Sequence, residues 1–244
     1  MALVWLRIYP TYELLGFFFG LHKRNAQLNV RAVLAILDTV DDFPFGRPGR
    51  DRKKLGSLTG VMAAFPEVRV IIDSKEQRVN RPTGYDAQKP YYSGKKKAHT
   101  VKTPVVVDPC GRIEGVSDSV PGGANHDLPL LCGSGVLERL ADGEAAMMDK
   151  AYVGVRNYYP DTPVVVPFKA SRGHPLTVDQ EAFNRGVARC RIVVEPTMAQ
   201  LNRFPVLRQV FRGQQRQRHG QVIRVVATLV NRRLRVKPLK TYAA

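Results

Sequence analysis

The sequence predicts an α/β protein in two parts, a small helical N-terminal region followed by a mixed β-sheet with helices packed against it. Three observations carry that expectation. Residues 1–40 are punctuated as helices. Residues 41–60 (DDFPFGRPGRDRKKLGSLTG) are rich in Gly, Pro and charge, as a linker is. From Val68 onward, short β-branched runs alternate with turns until a long helical stretch opens at Thr177. The expected boundaries are 1–45 for the helical region, 46–66 for the linker and 67–244 for the sheet domain. A chain of 244 residues with 44% apolar content can fill a core of this size, which excludes global disorder.

Within the helical region, MALVWLRIYP and TYELLGFFFG read as short helices, LHKRN as a break and NAQLNVRAVLAILDTV as a longer helix. Leu28, Ala32, Ala35 and Ile36 form one stripe near the 3.6-residue period, predicting a buried face, and Asn25 is placed to cap the helix. Short helix, tight turn and second helix are the layout of a helix-turn-helix, with Gln27, Asn29 and Arg31 reading the major groove. An ordinary helical hairpin satisfies the same pattern. The Gly16–Gly20 spacing (GFFFG) matches a membrane dimer motif. Arg7, Pro10 and Glu13 interrupt the apolar start, however, so a buried helix face is expected there rather than a signal peptide or a membrane span.

VRVIID (Val68–Asp73) is a continuous apolar run, as expected of a buried strand. KKAHTVKTPVVVD and RIEGVSDS read as strands joined across Asp108-Pro109-Cys110-Gly111, with Pro second and Gly fourth as a tight turn prefers. Pro104 is expected to interrupt its strand. HDLPLLCGSGVLERLA reads as a helix, and AAMMD and TPVVVPF as strands. Thr177 and Gln180 form a capping box that opens a helix expected to run through TVDQEAFNRGVARCRIVVEPTMAQLNRF. Three strands, a helix, a strand and a late long helix give the order of the ribonuclease H-like (retroviral-integrase-like) fold.

Charge narrows the partners. Lys and Arg number 38 against 21 Asp and Glu, a formal net charge of +17, so the surface attracts a polyanion. No acidic residue follows Glu195, and the basic tail with Arg203, Arg208, Arg212, Arg216 and Arg218, extended by Arg232, Arg233 and Arg235, reads as a phosphate-binding surface. Lys95, Lys96 and Lys97 read either as a solvated turn or as phosphate contacts. The three cysteines form no CxxC, which argues against a zinc or disulfide framework and suits a reducing cytoplasm. The sequence lacks HExxH, P-loop and GxSxG motifs, disfavouring a zinc protease, an NTPase and a serine hydrolase.

Three acids are candidates for chemistry. Asp73 closes the first strand, Asp149 follows AAMMD's apolar run, and Glu195 lies on the late helix. In a mixed α/β sheet, side chains at adjacent strand ends converge, and a helix packed there adds a third oxygen ligand. Three converging carboxylates favour one or two Mg²⁺ ions (or Mn²⁺) and suit in-line displacement at phosphorus. The rival is Asn125-His126-Asp127, in which Asp127 either caps a helix or binds a metal.

At these motifs the chain resembles DDE transposases of bacterial insertion sequences, in the group related to eukaryotic Harbinger elements. The resemblance runs from about Val4 to the C-terminus through IIDSKEQRVNRP, YYSGKKKAHTVKT, PGGANHDLPLL, MDKAY and RIVVEPTMAQLNRF. It implies Asp73, Asp149 and Glu195 as the catalytic and metal-binding acids. The interval between the last two is too short for the large β insertion of some other transposase groups. It also implies double-stranded DNA (element ends and target) as partner, a homo-oligomer on DNA, and a cytoplasmic, nucleoid-associated protein without a membrane segment.

The sequence departs from the group's pattern at several points. Ser74-Lys75-Glu76 stands where Gly-Thr-Glu is usual. Around the third acid, Arg191 and Glu195 match a Tyr-Arg-Glu-Lys signature while Ala188 and Asn202 replace its Tyr and Lys. On one helix, positions 191, 195 and 202 share a face, so that Arg191 orients Glu195 or contacts a phosphate. Pro196 replaces an expected His; inside a helix it removes the bond to the residue 192 carbonyl at about 3 kcal/mol and kinks the chain beside Glu195. Met1 starts inside the first expected helix, as a shortened reading frame does. The expected function is a Mg²⁺-dependent endonuclease and strand-transfer enzyme. The alternative is an inactive DNA-binding remnant, and an RNA-directed hydrolase on the same fold is a third reading.

Overall fold

The computed structural model describes residues 1–40, 63–123, 131, 135–213 and 216–236. Most of the expected linker, the Asn125-His126-Asp127 motif with its candidate ligand Asp127, most of the helix expected over 126–141, and the Arg216 and Arg235 side chains lie outside the described residues.

Helices α1 (Ala2–Ile8), α2 (Tyr12–Phe18) and α3 (Lys23–Thr39) open the chain. Strands β1 (Val68–Arg78), β2 (Tyr92–Ser93), β3 (Ala98–Val107), β4 (Ile113–Val116), β5 (Val120–Pro121), β6 (Ala145–Met147) and β7 (Val164–Val165) build one sheet. A helical turn, α4 (Tyr85–Gln88), interrupts the first half. Then α5 (Val178–Arg191), α6 (Val194–Asn202), α7 (Pro205–Arg208) and α8 (Arg216–Val236) close it. Among the described residues no helix is long and apolar enough to cross a membrane.

The sheet is mixed. Its main path runs β2-β3-β1-β6-β7, with β4 and β5 also paired to β3. β1 is antiparallel to β3 and parallel to β6, and β6 is parallel to β7. The turn between β3 and β4 forms as its residues predict: the Asp108 carboxylate accepts the N–H groups of Cys110 and Arg112, both at 2.8 Å, and Gly111 takes φ 80°. Pro104 does not interrupt β3. Its carbonyl accepts from Ser117 N–H (3.1 Å), and because a strand residue's N and O point the same way, its missing donor faces the gap between β4 and β5. β1 likewise runs on past Asp73 to Arg78, because its polar second half is paired with β3 from Ser74↔Pro104 to Arg78↔Thr100.

Period-two alternation divides the sheet's side chains between two cores. Ile71, Val105, Val107 and Met147 face α5, α6, α8 and the N-terminal helices, whereas Val70, Ile72, Val106, Ala146 and Met148 face Leu137, Tyr152 and Val155. Ile71 and Ile72 are fully buried, and each contributes roughly 2 kcal/mol by leaving water. Trp5, Leu6, Leu15, Ala26, Val30 and Leu34 belong to the same cluster as Val222, Val226 and Val230 of α8. The N-terminal helices therefore rest on the sheet domain's own core. Arg224 of α8 fastens α3 with a two-pronged contact to Asp38 (3.0 and 2.9 Å) and reaches Asp118 at 3.3 Å.

Five local expectations are corrected. α3 buries Ala26, Val30 and Leu34, while Leu28, Ala32, Ala35 and Ile36 form its outward face. Both stripes obey the helical period, and contact with α1, α2 and α8 selects between them. The cap is His22, whose Nδ1 accepts from Arg24 N–H at 3.3 Å, not Asn25. In GFFFG, Gly16 is buried because a Cβ there would collide with the Leu21 carbonyl, but Phe17 and Phe18 are 81% and 66% exposed. The long helix after Thr177 breaks: α5 ends at Arg191, Ile192 and Val193 turn through three-residue hydrogen bonds, and α6 begins at Val194. Pro196 thereby falls in the first turn of α6, where a helix has no partner for its N–H groups. Where the structure describes the helix expected over 126–141, Leu137–Arg139 forms a 3₁₀ turn.

Candidate active site

Sheet register positions two of the acids. Ile71 of β1 lies beside Met147 of β6, and both strands run the same way. Two residues further along each chain come Asp73 and Asp149, with the parity of Ile71 and Met147 and therefore on the face toward α5. Neighbouring strands are about 4.8 Å apart, so the two carboxylates emerge side by side. Asp149 is the first residue past β6 and caps a 3₁₀ turn (Lys150–Tyr152), accepting from Ala151 N–H at 2.7 Å. Asp73 Oδ1 accepts from Ser74 N–H at 2.9 Å. Each carboxylate thus has an oriented oxygen and remains about one-third exposed, 30% for Asp73 and 34% for Asp149.

Arg191, the last residue of α5, faces this pair. Its Nη2 lies 3.6 Å from Asp73 Oδ1 and 3.9 Å from Asp149 Oδ2, and its Nε is buried without a hydrogen-bond partner. Both aspartates adjoin a cleft of about 130 Å³ lined also by Ser74, Glu76, Lys95, Lys102 and Tyr152. The wall is braced. Buried Tyr152 shares a 2.8 Å hydrogen bond with Ser74 Oγ, and Glu76 Oε1 accepts from Thr100 Oγ1 at 2.8 Å.

Glu195 stands apart. It is exposed in the first turn of α6, and among the described residues no three His, Cys, Asp or Glu side chains are close enough to hold a metal together. The shared face expected for positions 191, 195 and 202 is divided between two helices, α5 and α6, separated by the turn at Ile192–Val193. Arg191 and Asn202 both still reach β1. Asn202 Oδ1 accepts from Lys75 Nζ, so two of the positions at which the sequence departs from its group's pattern are bonded to each other. Lys75 is buried, and desolvation lowers its pKa to about 8. Lys75 therefore points away from the cleft that holds Lys95 and Lys102.

The other candidates are spread over the surface. Lys95 lines the cleft, while Lys96 and Lys97 are exposed in the β2–β3 turn beside it. On α3, Asn29 and Arg31 are exposed and Gln27 is half-buried. At about 100° per residue, Gln27 and Arg31 occupy one flank and Asn29 the other, with the apolar stripe between them. Arg203 and Arg208 expose their side chains. Arg212 is engaged in a joint: its guanidinium donates to the Tyr9 and Pro10 carbonyls and lies 4.0 Å from the Tyr9 ring centroid. Sequence reasoning missed the cleft's Ser74, Glu76, Lys102 and Tyr152. Period-two alternation through SKE and TVKT was the available signal.

Strand-borne carboxylates that attract cations, ringed by lysines and an arginine that attract anions, are the equipment of a protein that acts on phosphate esters. The chain belongs to the DDE superfamily endonucleases, whose family profile matches residues 72–231 and so spans Asp73, Asp149 and Glu195. It is also 29% identical, over 238 residues, to the probable transposase for insertion sequence element IS702 of Microchaete diplosiphon, an alignment covering 97% of this chain and 80% of that protein. No solved structure matches it.

Proposed function

We propose that the protein is a transposase: a divalent-metal DNA endonuclease and strand-transfer enzyme on a ribonuclease H-like sheet, acting on the ends of an insertion sequence. The sheet order supports the fold reading, since three antiparallel strands (β1, β3, β4) are followed by two strands parallel to β1. The observation that carries the function is the side-by-side placement of Asp73 and Asp149 by strand register, in a chain of this family.

The donor set fits a hard cation, because two carboxylates lie side by side and, among the described residues, no Cys or His lines the cleft. Asp73 and Asp149 would hold Mg²⁺ (or Mn²⁺), with Glu195 as third ligand. When bound, the ion supplies an activated water and stabilises charge on the phosphoryl oxygens. The chain's own groups do the rest. Lys95 and Lys102 offer ammonium groups to the phosphate at the cleft, and Tyr152 and Ser74 fix the wall against which the backbone lies. Hydrolysis of the P–O3′ bond gives a 3′-hydroxyl and a 5′-phosphate, and the 3′-hydroxyl then attacks a phosphorus of target DNA, breaking the P–O3′ bond there and releasing a 3′-hydroxyl of the target strand. The exposed Arg203, Arg208 and Arg31, with Gln27 and Asn29, extend the DNA contact. The assembly acts as a homo-oligomer on DNA in the cytoplasm. The residues 1–45, 46–66 and 67–244 serve as DNA-binding region, linker and endonuclease domain.

A second reading, a DNA-binding protein inactive as a nuclease, is favoured by the exposed position of Glu195 away from the aspartates. Nicking of an end-containing duplex in Mg²⁺ separates the two. Cleavage by the unaltered chain that is lost in Asp149→Asn supports the enzyme; DNA binding without cleavage supports the second reading.

A further inference from the structure

The two aspartates share a counter-ion of their own. Arg191 Nη2 is within 4 Å of an oxygen on each, at 3.6 Å from Asp73 Oδ1 and 3.9 Å from Asp149 Oδ2, so one guanidinium lies against both carboxylates. The guanidinium is weakly held. Both contacts are longer than a normal hydrogen bond, and its buried Nε has no hydrogen-bond partner, so the arginine gives up little when it leaves. It is the last residue of α5, immediately before the Ile192–Val193 turn. Two carboxylates and one guanidinium carry a net single negative charge. Adding a divalent ion would place three positive charges against two negative ones inside a partly buried site, which Coulomb repulsion opposes.

We propose that Arg191 is the resident counter-ion of the Asp73–Asp149 pair and is displaced when a divalent cation enters, so that it sets the pair's metal affinity. Without a metal it holds two like charges together, and on metal entry it withdraws from both. Arg191 is in this sense a positioning residue that competes with the metal, not a ligand. The inference rests on the reading of Asp73 and Asp149 as metal ligands.

The test is Mn²⁺ binding to the full chain without DNA, read from the loss of the free-ion electron paramagnetic resonance signal. Arg191→Gln should bind Mn²⁺ on the order of tenfold more tightly than the unaltered chain, because a competing charge is gone. Arg191→Lys should stay within about twofold, since it keeps the charge. Asp149→Asn should lose binding. Equal or weaker binding by Arg191→Gln, with Asp149→Asn still impaired, overturns the inference and leaves the metal-site reading standing. Binding unaffected by Asp149→Asn overturns that reading, and the inference with it. A structure of the unaltered chain with Mn²⁺ supplies a check that needs no variant. Arg191 withdrawn from both carboxylates supports the proposal, and Arg191 still bridging them beside the ion overturns it.

Discussion

His219 is enclosed by groups that fix its proton. The Gln77 amide nitrogen donates to the Val206 and Gln209 carbonyls, both at 2.8 Å, so Gln77 Oε1 is left to accept from His219 Nε2 at 2.8 Å. Nδ1 is then the acceptor for the Ser119 hydroxyl at 2.7 Å, and Ser119 Oγ accepts in turn from Thr103. Burial, aided by the nearby Lys75 charge, lowers the His219 pKa to about 3. The unfolded imidazole takes a proton below its ordinary pKa near 6.5, while the folded one resists until about 3. The stabilisation is therefore complete above pH 6.5 and is lost as pH falls toward 3, at about 1.4 kcal/mol per unit from this group. In urea titrations the stability difference between the unaltered chain and His219→Gln should shrink as pH drops from 7 to 4. A pH-independent difference would contradict the assignment. Asn231 makes a comparable commitment. Its amide bonds both the N–H (3.0 Å) and the C=O (2.8 Å) of Ile113, closing β4 as another strand would. Asn231→Leu strands both groups and should destabilise the fold by about 2–4 kcal/mol in denaturant unfolding.

Among the elements, the start of α5 was legible and its end was not. Thr177 and Gln180 form both bonds of the capping box, as their spacing requires. Thr177→Ala should cost about 1 kcal/mol in a thermal melt. The interruption is local: Ile192 and Val193 keep helical backbone angles and turn through three-residue hydrogen bonds, while Val187, Cys190, Val194, Thr197 and Leu201 stay on one buried stripe. Pro196, read as a fault inside a helix, is a starting residue of the next one. Pro196→Ala should accordingly change stability by less than about 1 kcal/mol, not the 3 kcal/mol of a mid-helix proline. The same logic explains α3, where period offered two faces and packing against α1, α2 and α8 decided between them. The β1–β6 pair was readable because VRVIID and AAMMD are apolar runs ending on an acid, and it carries half of the candidate site. Arg191's reach to both acids was not readable, since it depends on where the helix stops.

At the scale of the molecule, the N-terminal helices and the sheet domain are joined by Arg224–Asp38 and by the shared core. The joint is partly buried, at 30% and 20% side-chain exposure, and two-pronged, so it should exceed the value of a surface pair. A double-mutant cycle with Arg224→Gln and Asp38→Asn should give a coupling of about 1–2 kcal/mol that weakens as salt is raised. If the coupling is near zero, the N-terminal helices are held by apolar contact alone. The outward faces of these helices, with Phe17, Phe18, Leu28 and Ile36 exposed, leave oily surface on a cationic protein.

The turn at Ile192–Val193 leaves the three candidate acids in two different settings. Asp73 and Asp149 are teeth cut into one casting, because any motion that separates them must also tear the ladder between β1 and β6. Glu195 stands on a different helix, whose place is set by its own buried residues Val194, Thr197 and Leu201. The ladder therefore fixes the spacing of two candidates, whereas the third answers to the packing of α6.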